Sequence, residues 1–258
     1  MGAVSAVTLT ITGATALLRL ENASKMNAFT VAMLDDLDAH LTTIERDTSL
    51  RNVIVTGAGA KAFCTGADIG AWGGLSPAEF ARHWVRDGHR IFDRLATLSK
   101  PTIAALNGHA FGGGLELAAA CDIRVMTPRA SLALPEARVG VVPGWSGTQR
   151  LTRLMPEPMV KEMVLFGRRI TAERAVACGF AALVADDVLD AAETLAADAP
   201  ALSPRATEIT KNMIHAAVGE DRAASVEALG SAAIAATEDR AEGVAAFQDK
   251  RKPDFKGT

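Results

Sequence analysis

Two glutamates sit where a carboxylate would be desolvated. Glu116 comes two residues after the triple glycine Gly112–Gly114 and is flanked by Leu115, Leu117 and a run of alanines. Glu136 follows Pro135 amid Leu134, Val139 and Val141. A carboxyl group with such neighbours has a raised pKa and trades protons near neutrality. Two glycine-rich turns accompany them. In KAFCTGADIGAW (61–72) a strand runs into a sharp turn at Gly66; in NGHAFGGGLELAAACD (107–122) the glycines precede a short helix. Free N–H groups and the positive helix end then point at one spot, and paired backbone donors stabilise an oxyanion. Each feature also has a plain structural reading: a triple glycine for close packing, a first-turn glutamate for the helix dipole, Pro-Glu for a turn. Residue types and spacing alone therefore reach an α/β enzyme with a candidate oxyanion site.

Competing motifs fail on specific residues. A dinucleotide fingerprint starting at Gly112 needs glycine at 117, where Leu117 stands, and GAGAKAF (57–63) lacks the spacing of a phosphate loop. The stretch Gly144-Trp145-Ser146-Gly147-Thr148 departs from the hydrolase elbow at Thr148, and no His–Asp pair is fixed by the sequence. The histidines His40, His83, His89, His109 and His215 show no metal spacing and read as structural, so no metal ligand is expected. Cys64, Cys121 and Cys178 form no CxxC and are expected to be reduced, buried thiols.

These segments need a scaffold, and the hydrophobic pattern supplies one. VTLTI (7–11) and ALLRL (16–20) around Thr12-Gly13 predict a hairpin. Val31, Leu34, Leu37, Leu41 and Ile44 predict a helix over 30–46 with Thr30 as its N-cap. NVIVTG (52–57), TIAALNG (102–108), DIRVM (122–126), SLAL (131–134) and AALVA (181–185) read as strands. A long helix is expected from Ser76-Pro77 to Leu98, the GHAFGGG stretch as a loop, and a short helix over 115–121. From about Asp187 Ala-rich helices take over, predicting a body over 1–190 and a helical region over 191–258 whose apolar faces need a partner surface.

Composition narrows the classes. The chain has 258 residues, a net charge of −3, 49% apolar residues and 5% aromatics. It lacks the concentrated positive face and stacking aromatics of a nucleic-acid binder. No apolar run approaches a membrane span. MGAVSAVTLT has no signal-peptide pattern, and Ala6 stands where N-myristoylation of Gly2 needs Ser or Thr. A cytoplasmic location is expected.

KPTIAALNGHAFGGGLELAAACDIRV (100–125) resembles the signature of the enoyl-CoA hydratase/isomerase, or crotonase, superfamily. FCTGADI (63–69), LPEARVGVVPGWSGTQRLTRL (134–154), GRRITAERA (167–175) and TEDRAEGVAAFQDKRKPDFKG (237–257) follow the family pattern in the same order, so the resemblance covers essentially the whole chain. It implies an α/β spiral of ββα units with a helical C-terminal region, assembled as a homotrimer or dimer of trimers. It implies an acyl-CoA substrate and no separate cofactor, coenzyme A being part of the substrate. The residues matching the oxyanion hole are Ala67 and Gly113; those matching the catalytic pair are Glu116, holding and activating water, and Glu136, exchanging the α-proton. Retention of both glutamates favours hydration of a 2-enoyl-CoA. The alternatives are double-bond isomerisation, another acyl-CoA lyase or hydrolase activity, and a non-enzymatic RNA-binding relative.

On the same resemblance Lys61, Ala67, Asp68, Ile69, Gly70, Trp72, Gly112, Gly113, Trp145 and Lys250 are the expected substrate contacts. Three positions depart from the pattern. Gly70 replaces a frequent lysine, Trp145 replaces a small residue and either narrows the acyl tunnel or packs beneath it, and Ser231 stands near where an aromatic meets the adenine. Lys250–Lys252 offer charge for phosphates or form a solvated basic end. Trp72, Phe80 and Trp84 lie in the family's variable stretch, which often lines the acyl end.

Overall fold

The computed structural model describes residues 5–258, the side chains at 222, 223 and 225 aside. Gly2, considered above for acylation, lies outside the described residues. The chain divides into two compact units at Thr207/Glu208.

The first unit opens with the predicted hairpin, β1 (Ala6–Thr12) and β2 (Thr15–Glu21), paired antiparallel so that Thr12 faces Thr15 across a two-residue turn. Helix α1 (Val31–Arg46) begins at Thr30, whose hydroxyl accepts from the Met33 amide. Its buried stripe is Met33, Leu34, Leu37, Leu41 and Ile44. Val31, expected in that stripe, is 52% exposed, and Met33 takes its place one turn before Leu37.

The strands then alternate between two sheets. β3 (Asn52–Gly57), β5 (Thr102–Leu106), β7 (Ile123–Met126) and, later in the chain, β10 (Leu183–Val184) enter a six-stranded sheet ordered β1-β2-β3-β5-β7-β10, parallel from β2 onward. β3, β5 and β7 are each followed by a short strand of a second sheet, β4 (Ala62–Cys64), β6 (His109–Phe111) and β8 (Ser131–Ala133), which pair parallel in that order. Helices α2 (Ile69–Trp72), α3 (Pro77–Glu79) and α4 (Arg86–Thr97) follow β4, and α5 (Gly113–Ala120) follows β6. This is the expected spiral of ββα turns. The His109–Phe111 stretch, expected as loop, is the strand that joins β4 to β8.

The predicted long helix is present with one irregularity. It starts in a reciprocal cap between Ser76 and Glu79, but Phe80–Val85 is wound as a π-helix before α4 begins.

After β8 come α6 (Gly147–Leu154), α7 (Glu157–Phe166), β9 (Ile170–Thr171), α8 (Ala172–Ala177), β10 (Leu183–Val184) and α9 (Val188–Ala196). The central strands β3 and β5 are buried on both faces, which is why they read as unbroken apolar runs. Val53, Val55, Ala104 and Leu106 face the main core with Phe29, Leu37, Phe63 and Phe92. The alternate residues Ile54, Ile103 and Ala105 face a smaller core closed by Val188, Ala192 and Ala196 of α9. This packing moves the unit boundary from the composition-based 190/191 to 207/208: α9 is Ala-rich but belongs to the sheet it covers.

α10 (Pro204–Ala217) runs across the boundary. The second unit continues with α11 (Arg222–Ala235) and α12 (Glu238–Gln248), the latter capped by Thr237. Asp239, in the first turn of α12, accepts from the amides of Lys256 and Gly257. Met213, Ile214, Ile234 and Phe247 are exposed there, Phe247 at 87%. Among the described residues no helix is long and apolar enough to cross a membrane.

Candidate active site

The small sheet sets the site's geometry through its register. Cys64 of β4 pairs with Ala110 of β6, and Phe111 of β6 pairs with Ala133 of β8. Ala67 and Gly113 therefore each lie three residues beyond a pair of matched positions, and Glu136 three beyond Ala133. Parallel strands deliver all three to the same carboxyl-terminal edge, where α/β sheets place their ligand crevices.

The first turn is held open by Phe29. The Phe29 amide donates to the Gly66 carbonyl at 2.8 Å, and the Asp68 amide donates to the Phe29 carbonyl at 2.8 Å. In this parallel bridge the residue between, Ala67, directs its own N–H away from Phe29. Gly66 has φ +102, and a side chain there would meet the Gly113 nitrogen and Phe111 oxygen at 3.3 Å, so the two turns touch through their backbones. In the second turn Gly112 (φ 52, ψ −129) takes a conformation open to glycine alone and starts α5 at Gly113. Among the described residues neither the Ala67 nor the Gly113 amide donates to a backbone carbonyl. Two free donors on neighbouring backbones can bind one oxygen that gathers negative charge.

Both carboxylates reach this point. Glu116, in the first turn of α5, is 2% exposed, and its Oε1 accepts from the amides of Trp145 and Gly147, each at 2.8 Å. Burial raises its pKa; the amide bonds and the Arg150 charge oppose the rise without cancelling it. Glu136 is half-buried, its Oε2 is enclosed without a hydrogen-bond partner, and its pKa is pushed up to about 7, first by burial and then by the charge of Glu116. This pair can take and give protons near neutrality.

A cavity of about 310 Å³ opens over these groups. Ala67, Gly112, Gly113, Glu116 and Glu136 line one side, and Ile69, Trp72, Phe80, Trp84 and Trp145 supply much of the apolar wall. Val139, Val141 and Val142 complete its rim. Trp145 packs against Phe29, Phe92 and Trp84 and donates its indole N–H to the Trp84 carbonyl at 3.3 Å. It thus packs beneath the tunnel while its ring edge forms part of the wall.

Three expected contacts of the first unit, Lys61, Asp68 and Gly70, lie off the cavity wall. Lys61 is exposed in the turn before β4 and does not line it. Neither Asp68 nor Gly70 lines it: the Asp68 carboxylate accepts from the Gly70 amide at 3.1 Å, capping α2, and pairs with Lys25 at 2.5 Å. That pairing holds Asp68 below the usual carboxylate range. Lys250 and Ser231 are exposed in the second unit, where Arg251 is bound to Glu242 at 2.6 Å. No group of three or more His, Cys, Asp or Glu that could hold a metal lies among the described residues.

The sequence reading missed the turn that grips Glu116. Its signal is Gly147, where a side chain would lie 2.6 Å from Glu116 Cγ. It also missed that Ser146 has a histidine and an aspartate beside it, His89 and Asp93 of α4. Ser146 Oγ is 2.9 Å from His89 Nδ1, 3.3 Å from His89 Nε2 and 3.4 Å from Asp93 Oδ1, and does not line the cavity. This is a closed triangle rather than the linear relay of a serine hydrolase.

Known proteins share this arrangement of chain. Residues 10–258 match the enoyl-CoA hydratase/isomerase family. The mitochondrial enoyl-CoA hydratase of Pongo abelii is 35% identical over 93% of this chain and 83% of its own length. The short-chain-enoyl-CoA hydratase of Clostridium acetobutylicum is 33% identical over 93% of both chains. The crystal structure of an enoyl-CoA hydratase from Bacillus anthracis superposes with a TM-score of 0.80 at 34% identity, covering 98% of this chain and 99% of that one. With the crotonase fold and the family match spanning nearly its whole length, the chain belongs to the enoyl-CoA hydratase/isomerase family.

Proposed function

We propose that the protein hydrates 2-enoyl-CoA thioesters to 3-hydroxyacyl-CoA. The observation that carries this reading is the meeting of two desolvated carboxylates and two free backbone amides on one apolar cavity. The Ala67 and Gly113 amides bind the thioester oxygen and stabilise the enolate that forms on it. Glu116, as carboxylate, takes a proton from water while the water oxygen bonds to the β-carbon. Glu136, in its acid form, gives its proton to the α-carbon. One water is consumed, and the two glutamates exchange roles when the reaction runs backward. The steps balance without a metal or redox cofactor, coenzyme A being part of the substrate.

The exposed apolar residues of the second unit support assembly as a homotrimer or dimer of trimers, which light scattering on the eluted protein measures.

The test of the reaction is crotonyl-CoA with the purified protein. Hydration removes the conjugated enoyl-thioester absorbance and adds the mass of one water to the product. Glu116→Gln and Glu136→Gln should each lower kcat by about 10²–10⁴-fold. An isomerase would instead convert a 3-enoyl-CoA without taking up water and would depend on Glu136 alone. Wild-type rates in both variants would sink the mechanism.

A further inference from the structure

Glu116 is gripped by a turn whose own conformation is strained. Ser146 has φ +71, in the left-handed region that a non-glycine residue seldom adopts. That conformation brings the amides on either side of it, at Trp145 and Gly147, onto the single oxygen Glu116 Oε1. Strain of this kind persists only where the surroundings fix it. Here the fixing groups stand outside the cavity, on α4 and α6.

The Ser146 hydroxyl is bonded to His89 Nδ1 at 2.9 Å and lies within 3.4 Å of Asp93 Oδ1. His89 Nε2 in turn lies 3.1 Å from Asp93 Oδ2. Asp93 also pairs with the guanidinium of Arg150, which is 3% exposed. The Arg150 amide donates back to the Ser146 carbonyl at 3.0 Å. The turn is thus anchored through its side chain to α4 and through its backbone to α6, with Asp93 joining the two.

We infer that Ser146 and Asp93 are positioning residues for Glu116, holding the left-handed turn so that the Trp145 and Gly147 amides stay on the Glu116 carboxylate. This rests on the assignment of Glu116 as the water-activating group. It gives a physical role to a serine that the cavity chemistry does not use. It also explains why a buried arginine and an aspartate sit behind the catalytic pair.

The groups bearing on the charge of Glu116 are Glu136 from the segment after β8 and Arg150 from α6. His89 and Asp93 on α4 stand behind Arg150 and Ser146. Hydrogen bonds to a carboxylate favour its ionised form. Loosening the two amides therefore raises the pKa of Glu116 further and moves the acid limb of the rate profile to higher pH.

Ser146→Ala tests this in the full-length protein, because alanine keeps the strained left-handed backbone and removes only the hydroxyl that anchors it. The expected result is a folded protein with kcat for crotonyl-CoA lowered about tenfold, KM within about twofold, and the acid limb of kcat moved to higher pH. Asp93→Ala should act in the same direction, and Asp93→Asn, which keeps an acceptor oxygen at Ser146, should recover part of the loss. Glu116→Gln is run beside them. If it is inactive while Ser146→Ala keeps the wild-type kcat and acid limb, the positioning role is overturned and the assignment of Glu116 survives. If Glu116→Gln keeps wild-type turnover, that assignment fails and the positioning role falls with it.

Discussion

Glu136 Oε1 lies 2.9 Å from the point at which a side chain on Gly112 would begin. Gly112 also has φ 52 and ψ −129, so the residue that aims the Gly113 amide is the one against which the Glu136 carboxylate rests. Gly112→Ala should therefore do two things at once. The strained backbone costs about 1–3 kcal/mol of stability, and the new methyl pushes Glu136 out of place, lowering kcat by about 10²-fold or more. Thermal unfolding and steady-state kinetics on the same preparation check both parts; unchanged kinetics in a folded variant would mean that Glu136 need not rest on this turn.

The pH dependence follows from the pair. The proposed hydration needs one proton shared by the two carboxyl groups, on Glu136 in the forward direction and on Glu116 in the reverse. The net reaction takes up no proton, so kcat/KM should trace the same bell in both directions. Its alkaline limb should fall near the Glu136 value of about 7. Rates of crotonyl-CoA hydration and 3-hydroxybutyryl-CoA dehydration across pH 5–9 measure this. Limbs that differ between the two directions would refute the shared-proton mechanism.

The same raised pKa destabilises the fold at alkaline pH. Between the ordinary glutamate value of 4.5 and about 7 the folded state holds a proton on Glu136 that the unfolded chain has released. Stability contributed by this group is complete below about pH 4.5 and falls as pH rises through 7. The loss amounts to a few kcal/mol by the pKa difference. Glu136→Gln should accordingly unfold at higher temperature than wild type at pH 8, with the gain vanishing near pH 5. A gain of the same size at both pH values would show that the carboxylate charge is not its cause.

Much of this site could be read from the chain because burial leaves a pattern. β3 and β5 are apolar runs since both faces of their sheet are covered, and Glu116 and Glu136 stand out as charges among apolar residues. The shortest pieces were not legible. His109–Phe111 has too few residues to show a period, and β9 has two. Val31 and Met33 exchange roles because an apolar type near the start of a helix does not say which face turns inward. The grip on Glu116 was hidden for a different reason. It is made by backbone amides, which every residue carries, and its supports His89 and Asp93 lie more than fifty residues before Ser146 in sequence.

Gly88 gives a stability test that separates packing from helix propensity. It lies in α4, where alanine would ordinarily stabilise by about 1 kcal/mol. A Cβ there would fall 2.3 Å from Trp145 Nε1, and the Trp145 amide holds Glu116. Gly88→Ala should destabilise the protein by about 1–3 kcal/mol and reduce kcat. Gly230→Ala, in α11 with nothing within 4 Å of the new methyl, is the matched control and should be neutral or stabilising by up to about 1 kcal/mol. Denaturant melts compare the two; equal stability changes would mean that Trp145 yields without resistance.

Trp72 carries an indole N–H that is buried without an acceptor while its ring packs on Phe80, the centroids 5.4 Å apart. An orphaned buried donor costs about 1–3 kcal/mol, so the Trp72 indole sits there at a cost in stability. Its ring forms part of the cavity wall, where it is placed to limit the size of a bound acyl group. Trp72→Phe keeps an aromatic contact, removes the orphan donor and shortens the wall. It should leave stability unchanged or raise it by about 1 kcal/mol, and it should shift kcat/KM toward longer 2-enoyl-CoA thioesters by several-fold, since each added methylene is worth about 1–3 kcal/mol in an apolar pocket. A chain-length series on wild type and variant decides the point: if the preference stays fixed while the melting temperature rises, Trp72 does not limit the acyl chain, and its cost in stability has another origin.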